Sequence, residues 1–384
     1  MGEFTWREIS ACGATALGLL WSLNQLYKSY NNSKLTKLSP PTVGVEGLIG
    51  NTPMILIKSL SKETGCNVYA KLEYLNPGGS AKDRVALAII QDKVSQGLLK
   101  PNGTVYEGTS GSTGISIGTV GNSLGYKSEI HLPDDTSPDK LALFETLGVD
   151  IVKVKPASIV DPSQYVNSAK NACDNNDGSG GVFADQFEND CNWKIHYNTT
   201  GPEIFKQLNG KIDIFIAGCG TGGTIAGVSK YLKQNIQTIT TILADPQGSG
   251  FFNRINYGVM YTNEEKEGTR RRHQVDTIVE GIGLNRITHN FAQGEEFIDE
   301  SIKITDEQAI KMAKYLSVND GLFIGSSTAI NAVATLKAVK QKNLENTGIN
   351  IVIIACDSGT RHLNKFWKEA LKIDNNVSID DILQ

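Results

Sequence analysis

Asn76-Pro77-Gly78-Gly79-Ser80-Ala81-Lys82-Asp83-Arg84 is a glycine-rich turn that runs into a helical pattern. Apolar residues recur at helical spacing from Val85 onward (Val85, Ala88, Ile89, Val94, Leu98), so the spacing predicts Lys82 at or near a helix N-terminus. The helix dipole disfavours an ammonium there and is expected to lower the lysine pKa. A lysine in that state can attack a carbonyl and hold a Schiff base. On this segment alone, a solvated lysine in a first turn is an equal alternative.

Two further glycine-rich turns follow. Glu107-Gly108-Thr109-Ser110-Gly111-Ser112-Thr113-Gly114 packs hydroxyls and open N–H groups ahead of a small-residue helix (Ile115, Ile117, Val120, Leu124). Such a loop suits a carboxylate or a phosphate, though an ordinary Ser/Thr N-cap reads the same way. Gly218-Cys219-Gly220-Thr221-Gly222-Gly223-Thr224 follows a buried-strand pattern (Ile212 to Ala217) and precedes a helix through Leu232. N–H groups and the helix dipole converge on an anion in that context. Gly218, Gly220 and Gly223 also satisfy a dinucleotide fingerprint, with Asp245 about where a ribose-binding acid belongs, so a Rossmann dehydrogenase competes at this point.

A lysine on one turn, a carboxylate loop and a phosphate loop together describe a pyridoxal 5′-phosphate (PLP) site. The chain resembles the cysteine synthase / cystathionine β-synthase family of PLP fold type II, closest to its fungal mitochondrial branch. The matching motifs run in order from Ile49-Gly50-Asn51-Thr52-Pro53 to Asp357-Ser358-Gly359-Thr360-Arg361. They include Asp185-Gln186-Phe187, His196-Tyr197, Thr199 to Glu203, Glu280-Gly281-Ile282-Gly283 and Gly325-Ser326-Ser327-Thr328.

The resemblance implies Lys82 as the PLP lysine and catalytic base. Gly220, Thr221, Gly222, Gly223 and Thr224 would hold the phosphate, and Ser327 would meet the pyridine nitrogen. Thr109, Ser110, Gly111, Thr113, Gln186 and Gly281 would hold the substrate. Ser112 stands where the family carries an asparagine that reaches the cofactor's 3′-oxygen, so the expectation is that water replaces that contact. Thr328-Ala329 replaces a Ser-Gly pair.

The implied fold is α/β, tryptophan synthase β-like, with two open parallel-sheet lobes and PLP in the cleft. Residues 76–187 would form the smaller mobile lobe, and 43–75 with 188–375 the larger one. Short apolar runs alternating with helical patterns agree: Val68 to Leu72, Ile130 to Leu132, Ile151 to Val154, Ile212 to Ala217, Ile239 to Ala244 and Ile351 to Ala355 are strand candidates. The implied activity is synthesis of L-cysteine from O-acetyl-L-serine and sulfide by a homodimer. Cystathionine β-synthase, β-cyanoalanine synthase, cysteine desulfhydrase and serine dehydratase share the scaffold, and a low-activity tethered binding protein is the non-enzymatic alternative.

At 384 residues the chain can hold two lobes around one site. Its net charge of −4 gives no reason to expect nucleic acid, and the run Arg270-Arg271-Arg272 is offset by Glu264, Glu265 and Glu267. The six cysteines are scattered without metal or C-x-x-C spacing, so no metal is expected and a reducing compartment is. Cys219 reads as a small residue filling a tight turn, and His196 as a satisfied structural histidine.

Ile9 to Tyr27 carries no charge. As a helix it would span about 28 Å, close to a bilayer core. Lys28, Lys34 and Lys37 follow it, which places the body on the cytosolic side of an anchor at 8–28, with a linker at 29–42. A mitochondrial outer-membrane anchor fits these flanks and the resemblance. A secretory signal, a presequence and a docked helix are the alternatives.

Overall fold

The computed structural model describes residues 19–29, 40–176, 178, 180–262 and 277–384. The chain divides into two units, Met1–Val43 and Gly44–Gln384. In the first, residues 19–29 form helix α1. Residues 8–18 of the expected anchor and 30–39 of the expected linker lie outside the described residues, as do Arg270 to Arg272. Among the described residues, no helix is long and apolar enough to cross a membrane.

The second unit alternates strands and helices. In order it runs β1 (Met54–Leu56), α2 (Lys58–Thr64), β2 (Asn67–Leu72), α3 (Lys82–Ser95), β3 (Thr104–Gly108), α4 (Ser112–Leu124), β4 (Lys127–Pro133), α5 (Pro138–Thr146), β5 (Asp150–Val154), α6 (Tyr165–Asn175) and β6 (Val182–Phe183). It continues through α7 (Cys191–Ile195), a π turn at His196–Thr200, α8 (Gly201–Gln207), β7 (Ile214–Gly218), α9 (Gly223–Asn235), β8 (Thr240–Pro246), α10 (Phe251–Tyr257) and α11 (His289–Ala292). It closes with β9 (Glu300–Ile304), α12 (Asp306–Asp320), α13 (Ser326–Gln341), β10 (Asn350–Ala355), α14 (Phe366–Ala370) and α15 (Ile379–Leu383).

The strands make two sheets, one ordered β1-β2-β10-β7-β8-β9 and the other β5-β4-β3-β6. Every pairing is parallel except β1 with β2. Helices cover both faces of the larger sheet, so β7 and β10 are buried almost throughout and read as unbroken apolar runs. One core packs α12 and α13 against one face (Met312, Leu316, Ile330, Val333, Ile353), and a second packs α9 against the other (Phe215, Val228, Leu232, Val352). A third core, with Val85, Ile89, Val105, Ile130 and Phe144, belongs to the smaller sheet.

All six strand candidates are strands. Four strands were not foreseen, and each has a reason. β1 is three residues long and β6 two. β9 is an edge strand, Glu-Ser-Ile-Lys-Ile, whose polar residues interrupt the apolar run. β3 carries a fully buried carboxylate, Glu107, which reads as surface in a sequence. Helix α3 begins at Lys82 as the spacing predicts but stops at Ser95, so Leu98 lies beyond it and is exposed. The helix buries Val85, Ala86, Ile89 and Ile90.

Four charged side chains tie α3 to the larger sheet. Arg84, 2% exposed, donates Nε and Nη2 to the two carboxylate oxygens of Glu73, at 2.7 and 2.8 Å, and Nη1 and Nη2 to those of Glu203, at 2.7 and 2.8 Å. Fully buried Lys71 completes the group by donating to Glu203 at 2.6 Å and to the Thr52 carbonyl at 2.7 Å. Burial would raise the Glu203 pKa, but hydrogen bonds and charge from Arg84 and Lys71 bring it down to about 2.

Arg84→Met leaves Glu73 buried without its cation, an expected loss of about 3–5 kcal/mol, readable by urea unfolding of the cofactor-loaded protein. Because the folded pKa of Glu203 lies below its ordinary value, its contribution is complete above about pH 4.5 and is lost as pH falls toward 2. The urea unfolding midpoint of Glu203→Gln should accordingly depend less steeply on pH below about 4.5 than that of the wild type.

Candidate active site

The Asn76-to-Lys82 turn is pinned at several points. Asn76 accepts from the Gly50 N–H at 2.8 Å and donates to the Glu73 carbonyl at 2.8 Å. Asp83 accepts from the Gly78 N–H at 2.6 Å, and the Ala81 N–H donates to the Cys356 carbonyl at 3.2 Å. The Ser80 hydroxyl donates to Asp357 at 2.6 Å. The Lys82 backbone therefore has little freedom. Burial raises the neighbouring Asp83 to about pKa 6.

Parallel strands end together, so the loops after β3, β7 and β10 open on one region. They enclose a cavity of about 250 Å³. Lys82, Thr109, Ser110, Gly111, Ser112, Thr113, Gln186, Gly220, Thr221, Gly222, Thr224, Gly281 and Ser327 all line it. Of the predicted site residues only Gly223 does not. It sits behind the wall, where an added Cβ would fall 1.9 Å from Asn192 Oδ1. Asp245, the decoy ribose acid, is fully buried near the end of β8, where it accepts from the Phe252 N–H of α10 at 2.8 Å and from Lys303 of β9 at 3.0 Å.

The Gly220-to-Thr224 turn is shaped for a bulky anion. Gly222 caps α9 with φ 93°, a conformation L side chains rarely adopt. At Gly220 the backbone passes so close that an added Cβ would lie 2.2 Å from the Gly281 carbonyl oxygen. The first N–H groups of α9 have no acceptor within the helix and face the cavity end of the turn. Thr224 is held by the fully buried His196, whose Nε2 is 3.1 Å from its hydroxyl while Nδ1 meets Thr200 at 2.9 Å. Burial lowers the His196 pKa to about 3, so the ring is neutral and structural, as expected from the sequence.

The carboxylate-type loop opens α4, which begins at Ser112. The Thr113 hydroxyl donates to Gln186 Oε1 at 2.5 Å, and Gln186 Nε2 donates to Glu107 at 3.2 Å. The Ser112 hydroxyl donates to Asp357 at 2.6 Å. Burial would raise Asp357, but His362, Arg361 and the Ser112 hydroxyl hold it well below the usual carboxylate range. Ser327, in the first turn of α13, lines the cavity beside Cys356.

Sequence reasoning gave no role to Asp357, Tyr165, Glu280 or Glu107. Asp357 stood inside a matched motif, which was the available signal; its bonds to Ser80 and Ser112 join residues far apart in the sequence. Glu280 lines the cavity and pairs with Lys140 of α5 at 2.9 Å, a contact between segments far apart in the sequence that no local pattern announces.

This arrangement fits PLP. It offers a lysine, a backbone anion cradle whose Gly220 and Gly222 leave no room for a Cβ against Gly281 and Phe291, and a hydroxyl-rich helix start for a second anion. Residues 45–357 match the pyridoxal-phosphate dependent enzyme family, and the chain belongs to it. Within it, the chain belongs with the cysteine synthases. It is 63% identical to a Saccharomyces cerevisiae protein described as "Putative mitochondrial cysteine synthase", over 99% of this chain and 97% of that one. It is 48% identical to cysteine synthase 2 of Schizosaccharomyces pombe, over 97% and 96%. Among solved structures, an O-acetylserine dependent cystathionine β-synthase from Helicobacter pylori superimposes with TM-score 0.71 and 29% identity, over 85% of this chain and 99% of that one.

Gly222→Asp puts a side chain 2.6 Å from Phe291 and a negative charge where an anion must bind. The expected result is loss of most bound PLP after dialysis, measured as near-UV/visible absorbance per mole of protein, with far-UV circular dichroism unchanged.

Proposed function

We propose that the protein makes L-cysteine from O-acetyl-L-serine and sulfide by β-replacement. What carries this reading is the single cavity shared by Lys82, the Thr109–Thr113 loop and the Gly220–Thr224 loop. When bound, PLP supplies the electron sink that makes the α-proton of an amino acid removable. With PLP bound, Lys82 would hold it covalently through Nζ, and the same amine, once free, would take the α-proton as general base.

Thr109, Ser110, Gly111 and Thr113, with Gln186 and Gly281, hold the amino acid. Gly220, Thr221, Gly222, Gly223 and Thr224 hold the phosphate, Gly223 by keeping the wall thin. Ser112 acts through Asp357, and Ser327 meets the pyridine nitrogen. With PLP bound, the Ser327 hydroxyl would not force a proton onto that nitrogen as a carboxylate would, an environment that would suit a substrate with a good leaving group such as acetate. Residues 76–187 act as the smaller lobe and close on the larger one, 43–75 with 188–375, to exclude water.

The Helicobacter pylori relative keeps a second nucleophile open, because its name joins the same donor to cystathionine synthesis. The protein acts as a homodimer at the mitochondrion. The name of the Saccharomyces relative supports that location, and Lys28, Lys34 and Lys37 after an uncharged run support an outer-membrane anchor at 8–28 with the body in the cytosol.

Lys82→Ala should lose both the bound-cofactor absorbance and all β-replacement; a variant that keeps a reducible PLP–protein linkage would sink the assignment. In competition assays, O-acetylserine should outperform serine, O-phosphoserine and cysteine as donor, and sulfide should outperform homocysteine. Preference for serine with homocysteine would make the activity a cystathionine β-synthase. Deleting residues 1–32 should release the enzyme from membranes with specific activity unchanged, and a truncated protein that still sediments with membranes would refute the anchor.

A further inference from the structure

Glu107 lies on β3, directly beneath the loop that opens α4, and is 0% exposed. Its contacts are all N–H donors: Gly108 N at 3.1 Å, Gln186 N at 3.2 Å and Gln186 Nε2 at 3.2 Å. None of the salt bridges among the described residues involves it. The cations nearby, Lys170 of α6 and Arg286, act on the neighbouring Asp185, and none is among the groups that shift Glu107. From α6 comes the Tyr165 phenol, and after β6 comes the Asp185 carboxyl, whose negative charge adds to the cost of ionising Glu107. From β4 comes His131, already paired with Glu129 and Ser168. Helix α4 contains no charged residue. Burial raises the Glu107 pKa to about 8, with Asp185 adding to it. Asp185 itself has φ 55°, so the backbone entering Gln186 is set in the left-handed region.

The Gln186 amide is a two-way element. As the structure stands, its Nε2 donates to Glu107 and its Oε1 takes the Thr113 proton at 2.5 Å. The Thr113 proton and one of the two Nε2 protons are then turned away from the cavity, although both residues line it. A carboxylate arriving there needs donors. We propose that Glu107 is a positioning residue for the substrate carboxylate, acting through the Gln186 amide. Carrying a proton, it donates to Gln186 Oε1 and turns Nε2, and with it the Thr113 hydroxyl, toward the substrate. Ionised, it retains Nε2 and leaves the loop short of donors. Binding of the carboxylate therefore draws one proton from solvent onto Glu107 when that residue starts ionised. This rests on the reading of Thr109–Thr113 as the carboxylate loop.

The test uses the full-length holoenzyme and propionate, a carboxylate with no amine to titrate in the range used. Its inhibition constant against O-acetylserine is measured from pH 6 to 9.5. In the wild type the constant should be flat up to about pH 7.5, then weaken, approaching about tenfold per pH unit well above the Glu107 pKa. Glu107→Gln supplies a permanent N–H donor to Gln186, so its constant should stay near the wild-type low-pH value across the whole range. Gln186→Ala should bind propionate more weakly and without the slope.

A flat wild-type profile overturns the proposal. So does an unchanged slope in either variant. If Glu107→Gln does not fold with cofactor, the wild-type profile and Gln186→Ala decide the matter. Failure of propionate to compete even with the wild type at pH 6 removes the carboxylate loop itself and the proposal with it. That failure is distinguishable, because the proposal alone failing leaves propionate competing with the wild type at pH 6.

Discussion

The double clamp of Arg84 is the interaction on which the rest depends. Arg84 lies two residues after Lys82, and each of its carboxylate partners comes from a different part of the chain. Glu73 follows β2, and Glu203 stands in α8. Burying this many charges costs desolvation energy that Coulomb attraction repays only when geometry is good and every donor is met. Here two planar forks face a planar guanidinium, which is the arrangement arginine offers and lysine does not. Such a group contributes modest net stability but strong positional definition. It sets where helix α3 starts, and so where the Lys82 backbone stands relative to both sheets.

Around that fixed point, helix starts converge. Helices α3, α4, α9 and α13 all begin at the cavity, at Lys82, Ser112, Gly223 and Ser326. Each brings N–H groups that its own helix cannot use. The parallel sheets enforce this, because strands running the same way deliver their outgoing loops to the same side. A cavity assembled in this way favours anions before any side chain is chosen. The hydroxyls of Thr109, Thr113 and Thr221 then line it, while Glu107 holds the Gln186 amide and Asp357 holds the Ser80 and Ser112 hydroxyls.

Much of this was legible in the sequence, and the pattern of what was not is physical. The three glycine turns announced themselves because backbone approach to an anion demands glycine, and glycine is visible. The central strands were legible because burial on both faces leaves unbroken apolar runs, as in Ile351 to Ala355. What stayed hidden was the polar scaffolding. Glu107, Glu73 and Lys71 are charged residues with no exposure, and in a sequence a charge reads as surface. Their partners lie far along the chain, so no spacing rule connects them. The fate of Ser112 was hidden for the same reason, since its partner Asp357 is 245 residues away.

The cavity wall also contains sulfur. Cys356 lines it directly, and Cys219 is buried in the phosphate-type turn. Burial drives the thiol of Cys356 up to about pKa 12 and that of Cys219 well above its ordinary value. Only the thiolate attacks disulfides and persulfides, so the raised pKa keeps Cys356 in its unreactive thiol form at neutral pH. An interior that meets sulfide and its oxidised derivatives is thus furnished with thiols that are chemically silent. The same desolvation that closes the core makes the lining resistant to the reagents passing through it.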